Sequence, residues 1–523
     1  MNTSHRITIL ALLCLALGAT TAFGESSARF DRIAPYGTAT EIQLGTAVGE
    51  GPPAEARGEY LWRSVREIII GSSTGISRFE GHTDVMVGHE QNPPTPVEMF
   101  DADGDGTPYW TYDVSLAQVA AREGAYVLAD YIEGRGIDLF GWLGDFTAPA
   151  WSMSLSGCLP AGYSNTLKVS MDGSRVAFGC FHNNKVRFLA IETATGAVLV
   201  DTYIVLDAAS IRGLDLTDDG HYVDLNCGVT HVVYDVDANT ERARVDTGAS
   251  TRPVAISETG EWIVAGFTST KAYQWDDHQQ TYVQRWSITG NRYAGAMMVS
   301  EQGYWIVGWY SSDYDQNRIV RYNLDDGSVA WTTVLPSSSG EVQDLPVGCD
   351  FSADRQTVGF AFWGDLTLRA PELAAFDAGD GSELVSVQAP GSMFDVSISS
   401  GGHYISGTGK LVHANIMGNG SDTYCALARE LSSVPIAPTG GLRVDAAPNP
   451  FTGATTLFAR GLDQATSLRI LDPSGREIRT LRPTGDALQW DGRNAVGDRV
   501  PAGTYFCVPV GSQGEATRLV VLR

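Results

Sequence analysis

Lysine is nearly missing from this 523-residue chain: Lys168, Lys185, Lys271 and Lys410 are the only four, each far from the others. Lys and Arg together number 36 against 61 Asp and Glu, a formal net charge of −25. Binding to nucleic acid rests on clustered cations that displace counterions from phosphates, so this balance excludes such a partner. Long apolar runs are missing too. Past the first residues no stretch reaches the ~20 apolar positions that a membrane-spanning helix needs, so none is expected. The nine histidines include no His-Glu-x-x-His and no close pair suited to zinc. There is no Cys-x-x-Cys and no marked Ser-His-Asp set. Signatures of catalysis are thus absent, and the reading leans away from an enzyme.

What is present begins with a targeting segment. His5 and Arg6 precede an apolar run from Ile7 to Leu17, and Ala22-Phe23-Gly24 supplies small residues for cleavage. Residues 1–24 therefore read as a secretory signal peptide, and the mature chain as exported. Leu13 before Cys14 argues against a lipid-modified cysteine. Six cysteines then remain, at irregular spacings. Cys180 and Cys227 stand in equivalent slots, each seven residues after a repeat glycine, and read as packing residues rather than a bridge.

A polar turn followed by an alternating strand recurs along the chain: SMDGSRVAFG from Ser170, TDDGHYVDLN from Thr217, SETGEWIVAG from Ser257 and SEQGYWIVGW from Ser300. Weaker copies start at Ala121, Ser352 and Ser399, and Arg355 replaces glycine in one of them. The key positions, Gly124 to Gly402, are spaced 40 to 52 residues apart. Four short strands with their turns occupy about that length, so the period predicts a β-propeller over residues 65–430. A second turn carries its own signature, as in FDADGDGTPYW from Phe100, NLDDGSVAW from Asn323 and FDAGDGSELV from Phe376, with a Trp or Val four residues after the last glycine. The glycine permits a hairpin turn and the large residue packs sheet against sheet. The second turn counts eight blades and the first counts seven; eight is preferred. On these residues the region resembles the quinoprotein-like and WD40-like bacterial propeller repeats. Quinoprotein dehydrogenases use adjacent cysteines beside their cofactor, and this chain has no such pair.

Residues 25–64 read as a Gly- and Pro-rich lead-in segment and 431–446 as a linker. Period-two strands return over 447–523, predicting a small immunoglobulin-like β-sandwich with Trp490 as a core anchor. Pro448-Asn449-Pro450-Phe451, LRILDPSGREIRTL and WDGRNAVGDRVPAGTYF are similar to one family. It is the domain shared by the flagellar hook-capping protein and the C-terminal sorting domains of type IX secretion cargo. That resemblance implies contact with a secretion machinery and display at, or release from, the cell surface.

Two groups of residues are candidates for a site. Asp101, Asp103 and Asp105 alternate around glycines, as carboxylates on a Ca²⁺ loop do, but Tyr112 stands where an EF-hand has its closing Glu. The reading leaves two alternatives, an ordinary Asp/Gly turn with no cofactor or a calcium ion. At the propeller face where inter-strand loops converge, His182, Trp309, Tyr310, Asp313, Tyr314, Trp363 and Asp365 combine aromatic faces with acids, a combination that holds a sugar or a peptide. The function expected is an exported, surface-displayed or secreted binding or structural protein with a carbohydrate or protein ligand. The alternative is an extracellular polymer-degrading hydrolase or lyase, or a quinoprotein-like oxidoreductase.

Overall fold

The computed structural model describes residues 59–521 apart from 68–69, 80–81, 161–165, 207–210, 249–252, 290–291, 312–316, 336–344, 365–370, 415–416, 430–443, 448–450, 460–466, 472–475, 482–486, 496, 502 and 510–516. The residues read as a signal peptide, and most of those read as lead-in and linker, lie outside that set. The chain divides into two compact units, Met1–Glu430 and Leu431–Arg523. Among the described residues the regular structure is all β.

The first unit is a β-propeller. Five of its sheets take four consecutive strands each, in the ranges 167–204, 213–246, 254–289, 292–335 and 346–387. A further sheet has six strands, because one long strand, Trp110–Arg122, serves two successive units. Its first half pairs with the segment around Thr95–Met99 and its second half with Ala125–Ile132. The last sheet takes Met393–Ile398, Tyr404–Lys410 and Ser421–Leu427, then borrows Glu59–Arg66 as its outer strand. This closes the ring with the beginning of the chain, so residues read as lead-in contribute a strand.

The repeated Ser earns its place through hydrogen bonds. Ser170 is fully buried; its hydroxyl accepts the Arg175 N–H, and its carbonyl accepts the Gly173 N–H. Thr217 does the same for Tyr222 and Gly220, and Ser352 for Thr357 and Arg355. The turn needs positive φ at its fourth position, which is 73° at Gly173 and 59° at Arg355. In the strand that follows, period two sends alternate side chains into two different cores. Val176, Phe178 and Cys180 enter the one before their sheet and Ala177 the one after. Both faces are covered, which is why these strands read as nearly continuous apolar runs.

The aromatic residue of the second signature packs against the next unit rather than its own. Trp151 lies on Gly196, where an added Cβ would come within 2.6 Å of the indole, and its Nε1–H donates to the Thr193 carbonyl. Trp286 meets Gly327 and donates to Leu324, and Trp331 meets Gly381 and donates to Ala378. Trp62 of the borrowed strand sits on Gly106 and donates to Ala102, so the closing contact repeats the device used around the ring.

The second unit packs a three-stranded sheet against a four-stranded one. Phe451, Leu457, Leu468, Ile470, Trp490, Tyr505, Cys507 and Leu519 form its core, with Trp490 fully buried. It is a small β-sandwich.

Candidate functional site

The first strand of each sheet faces the propeller axis, and an axial strand has an unpaired edge. The chain satisfies those edges with side chains from the neighbouring sheet. Asp215 accepts the Ile256 N–H at 3.0 Å, Asp350 the Ile398 N–H at 2.8 Å and Asp395 the Thr74 N–H at 2.9 Å. Ser397 accepts the Ile76 N–H and Ser73 the Val119 N–H. Burial pushes the Asp395 carboxyl up to about 6 despite its bond to the Thr74 N–H.

One end of the channel, where the first strands turn into the second, is sealed by arginines. Arg122 crosses to the far sheets, donating to both oxygens of Asp350 at 2.7 and 2.9 Å and to the Ile398 carbonyl. Arg355 reaches Asp218 and Glu258 from the opposite side. Glu258 is itself anchored by the Ser300 hydroxyl and the Glu301 N–H. Burial raises the Asp218 carboxyl even though Arg355 opposes it.

At the other end, where the first strands begin, lies a cavity of about 100 Å³. Its wall comes from five sheets: Lys168, Arg212 and Leu214, Val254, Met297, and Leu345 to Cys349 with Trp363. On that wall Lys168 is bound to Asp215 at 2.7 Å; burial works against its charge, but Asp215 keeps its pKa above the ordinary value. Trp363 is 4% exposed, and its buried Nε1–H has no partner among the described residues. None of the arginine–carboxylate pairs of the turn end lines this socket.

Of the residues singled out in the sequence, Trp363 borders this socket and Tyr310 packs beside it, with Leu345 and Ala414. Trp309 turns away. It lies in the strand Tyr304–Ser311, so period two puts it into the core with Trp305 and Tyr322. Trp309 and Tyr310 are each 3% exposed; they are strand residues, not loop platforms for a sugar. His182 ends its strand away from the socket wall, with Nδ1 2.5 Å from the Tyr203 hydroxyl. Asp313, Tyr314 and Asp365 lie outside the described residues. The structure gives the three candidate metal ligands separate tasks. Asp101 accepts the Asp103 N–H, Asp103 the Tyr404 hydroxyl and Asp105 the Thr107 N–H. Among the described residues no group of three such side chains is gathered for a metal. The axial set of Lys168, Asp215, Arg122, Asp350 and Arg355 was not singled out in the sequence. Its one local signal was the arginine in a glycine slot.

No family model and no curated protein matches this sequence. Among solved structures the chain is similar to Sqt1 from Chaetomium thermophilum, with TM-score 0.51 and 10% identity over 71% of this chain and 100% of that one. It is also similar to Chaetomium thermophilum Sqt1 solved bound to the N-terminus of ribosomal protein L10, with TM-score 0.50 and 11% identity over 71% and 100%. Sqt1 from Saccharomyces cerevisiae gives TM-score 0.50 and 11% identity over 71% and 99%. At such identities the likeness carries the fold alone, and that fold is a WD40-like β-propeller.

Proposed function

We propose that this protein is an exported binding scaffold whose propeller takes an apolar segment of a partner protein into the axial socket. The observation that carries this reading is the axial cavity of about 100 Å³, walled by residues of five sheets and bordered by Trp363. Leu214, Met297 and Leu345 supply apolar wall beside it. A protein segment suits the socket better than a sugar because Tyr310 and Trp363 are buried rather than offered as stacking faces. Sqt1 solved with the N-terminus of another protein is a precedent for the fold, not for this ligand. The axial carboxylates favour binding over hydrolysis, since Asp215, Asp350 and Asp395 each hold a neighbouring strand.

Reading the six-stranded sheet as two units gives eight blades. In this proposal the signal peptide exports the chain, and the C-terminal sandwich directs type IX-like sorting to the surface or the medium. The Asp101 turn is a turn without a bound ion. Selection of a peptide library displayed on phage, against wild type and then against Val254→Arg, tests the socket. Val254 is a partly exposed wall residue, so a long charged side chain there blocks the mouth. Peptides that bind wild type and lose at least tenfold on the variant are expected; peptides that bind both equally overturn the assignment. Fractionation of the host with full-length protein and a chain ending at Glu430 tests the sorting role. Equal distribution of the two removes it.

A further inference from the structure

We infer that Cys158 and Cys180 form a redox-active dithiol that closes to a disulfide on meeting a small-molecule disulfide, stapling the connector before the strand Leu167–Val169 to the strand Arg175–His182. The inference is independent of the socket and of export. It starts from backbone geometry. Leu159 and Phe181 exchange both hydrogen bonds, at 2.8 and 2.9 Å, in an isolated antiparallel bridge. Cys158 and Cys180 each directly precede a member of that bridge, so their side chains leave the same face as diagonal neighbours. Both are fully buried in the same inter-sheet core, and each thiol is the largest influence on the ionisation of the other. The slot shared with Cys227 does not make a pair: Cys227 lies in the next core along.

The two sulfurs are not equivalent. Arg187 Nη1 donates to Cys158 Sγ at 3.6 Å, while its Nε and Nη2 hold both oxygens of Asp201 at 2.8 and 2.7 Å. A fixed guanidinium beside one sulfur favours its thiolate. The neighbouring Cys180 thiol, and then Arg187, bring the Cys158 thiol down to about 6, whereas Cys180 moves up. The other described cysteines, Cys227, Cys349, Cys425 and Cys507, are pushed up by burial. Cys158 is thus the attacking group. Its thiolate displaces one thiolate from the incoming disulfide and forms a mixed disulfide. Cys180 then gives up its proton and attacks Cys158 Sγ, releasing the second thiol. Two protein thiols and one disulfide become one protein disulfide and two small thiols.

The test uses folded full-length protein, first reduced and freed of reductant, then incubated with oxidised glutathione. The reaction is quenched with acid, and the protein is denatured, alkylated and mapped by peptide mass spectrometry. Loss of alkylation at Cys158 and Cys180 alone, with their peptides linked and two hydrogens lighter, is the expected result. Cys180→Ser should instead hold glutathione on Cys158, and Cys158→Ser should take up little. Alkylation of both residues after oxidation of the wild type overturns the inference, and so does linkage of either one to another cysteine. Because the wild-type result decides alone, misfolding of a variant leaves the test intact.

Discussion

The two ends of the propeller axis are made from the same strands and treat polar groups in opposite ways. At the turn end, charges from distant sheets meet: Arg122 with Asp350, and Arg355 with Asp218 and Glu258. At the loop end, five sheets leave a cavity with Leu214, Met297 and Leu345 on its wall. A ring of sheets has to be held somewhere, because each axial strand presents an unpaired edge. This chain sets its cross-ring charge pairs at one end and leaves a cavity at the other, which in the proposed reading receives a partner. The contrast separates stability from binding, and substitutions should separate them too.

The largest effect is expected from Arg122→Ala, which takes the guanidinium from a largely buried Asp350 and leaves it only neutral donors, the Ile398 and Phe351 N–H groups and the Ser397 hydroxyl. Breaking a largely buried pair by removing one partner costs roughly 3–5 kcal/mol, and urea melts should show it. Next comes Asp395→Asn. The folded chain holds this proton more tightly than the unfolded chain, because burial moves the carboxyl from 3.8 to about 6. The favourable contribution is therefore complete below pH ~4 and is lost as pH rises through about 6. At ~1.4 kcal/mol per unit, wild type should lose about 2 to 3 kcal/mol relative to the variant across that window. Parallel stability curves for the two proteins from pH 4 to 7 would remove the assignment.

Arg355→Gly sets two terms against each other. Glycine relieves the positive φ of 59°, worth about 1 kcal/mol, but Asp218 and Glu258 lose their partner. A net loss of about 1–2 kcal/mol is expected; a more stable variant would mean the arginine is only a degraded repeat position. Smallest in stability is Val254→Arg at the mouth. Its melting curve should stay within about 0.5 kcal/mol of wild type while binding of socket-selected peptides falls at least tenfold.

The repeat was legible because its cause is local. Ser170 bonds its own turn and Arg175 five residues on, so the pattern survives in any copy that keeps the turn. The tryptophans were legible as packing residues, but their partners were not. Trp151 lies on Gly196, which belongs to the next unit, and no spacing within one unit announces that. The loop aromatics were misplaced for a related reason. Trp309 and Tyr310 continue a strand past its apparent end, and the alternation then buries one on each side. Arg122 and Asp350 are 228 residues apart; Arg122 falls in the weak repeat copy from Ala121, but nothing in that pattern points to Asp350. In Arg355 the sequence showed a departure from the repeat without showing its use.

The sequence by itself determined the all-β class, the period of the propeller, the Ser-x-x-Gly turn and the Trp490-centred sandwich, because each depends on alternation, turn chemistry or burial within a few residues. Tertiary structure alone decided that the strand Glu59–Arg66 closes the ring, that one end of the axis is sealed and the other holds a cavity, and that Cys158 faces Cys180. Those outcomes depend on which sheets become neighbours when the ring closes, and contacts across a closed ring leave no periodic trace in the chain.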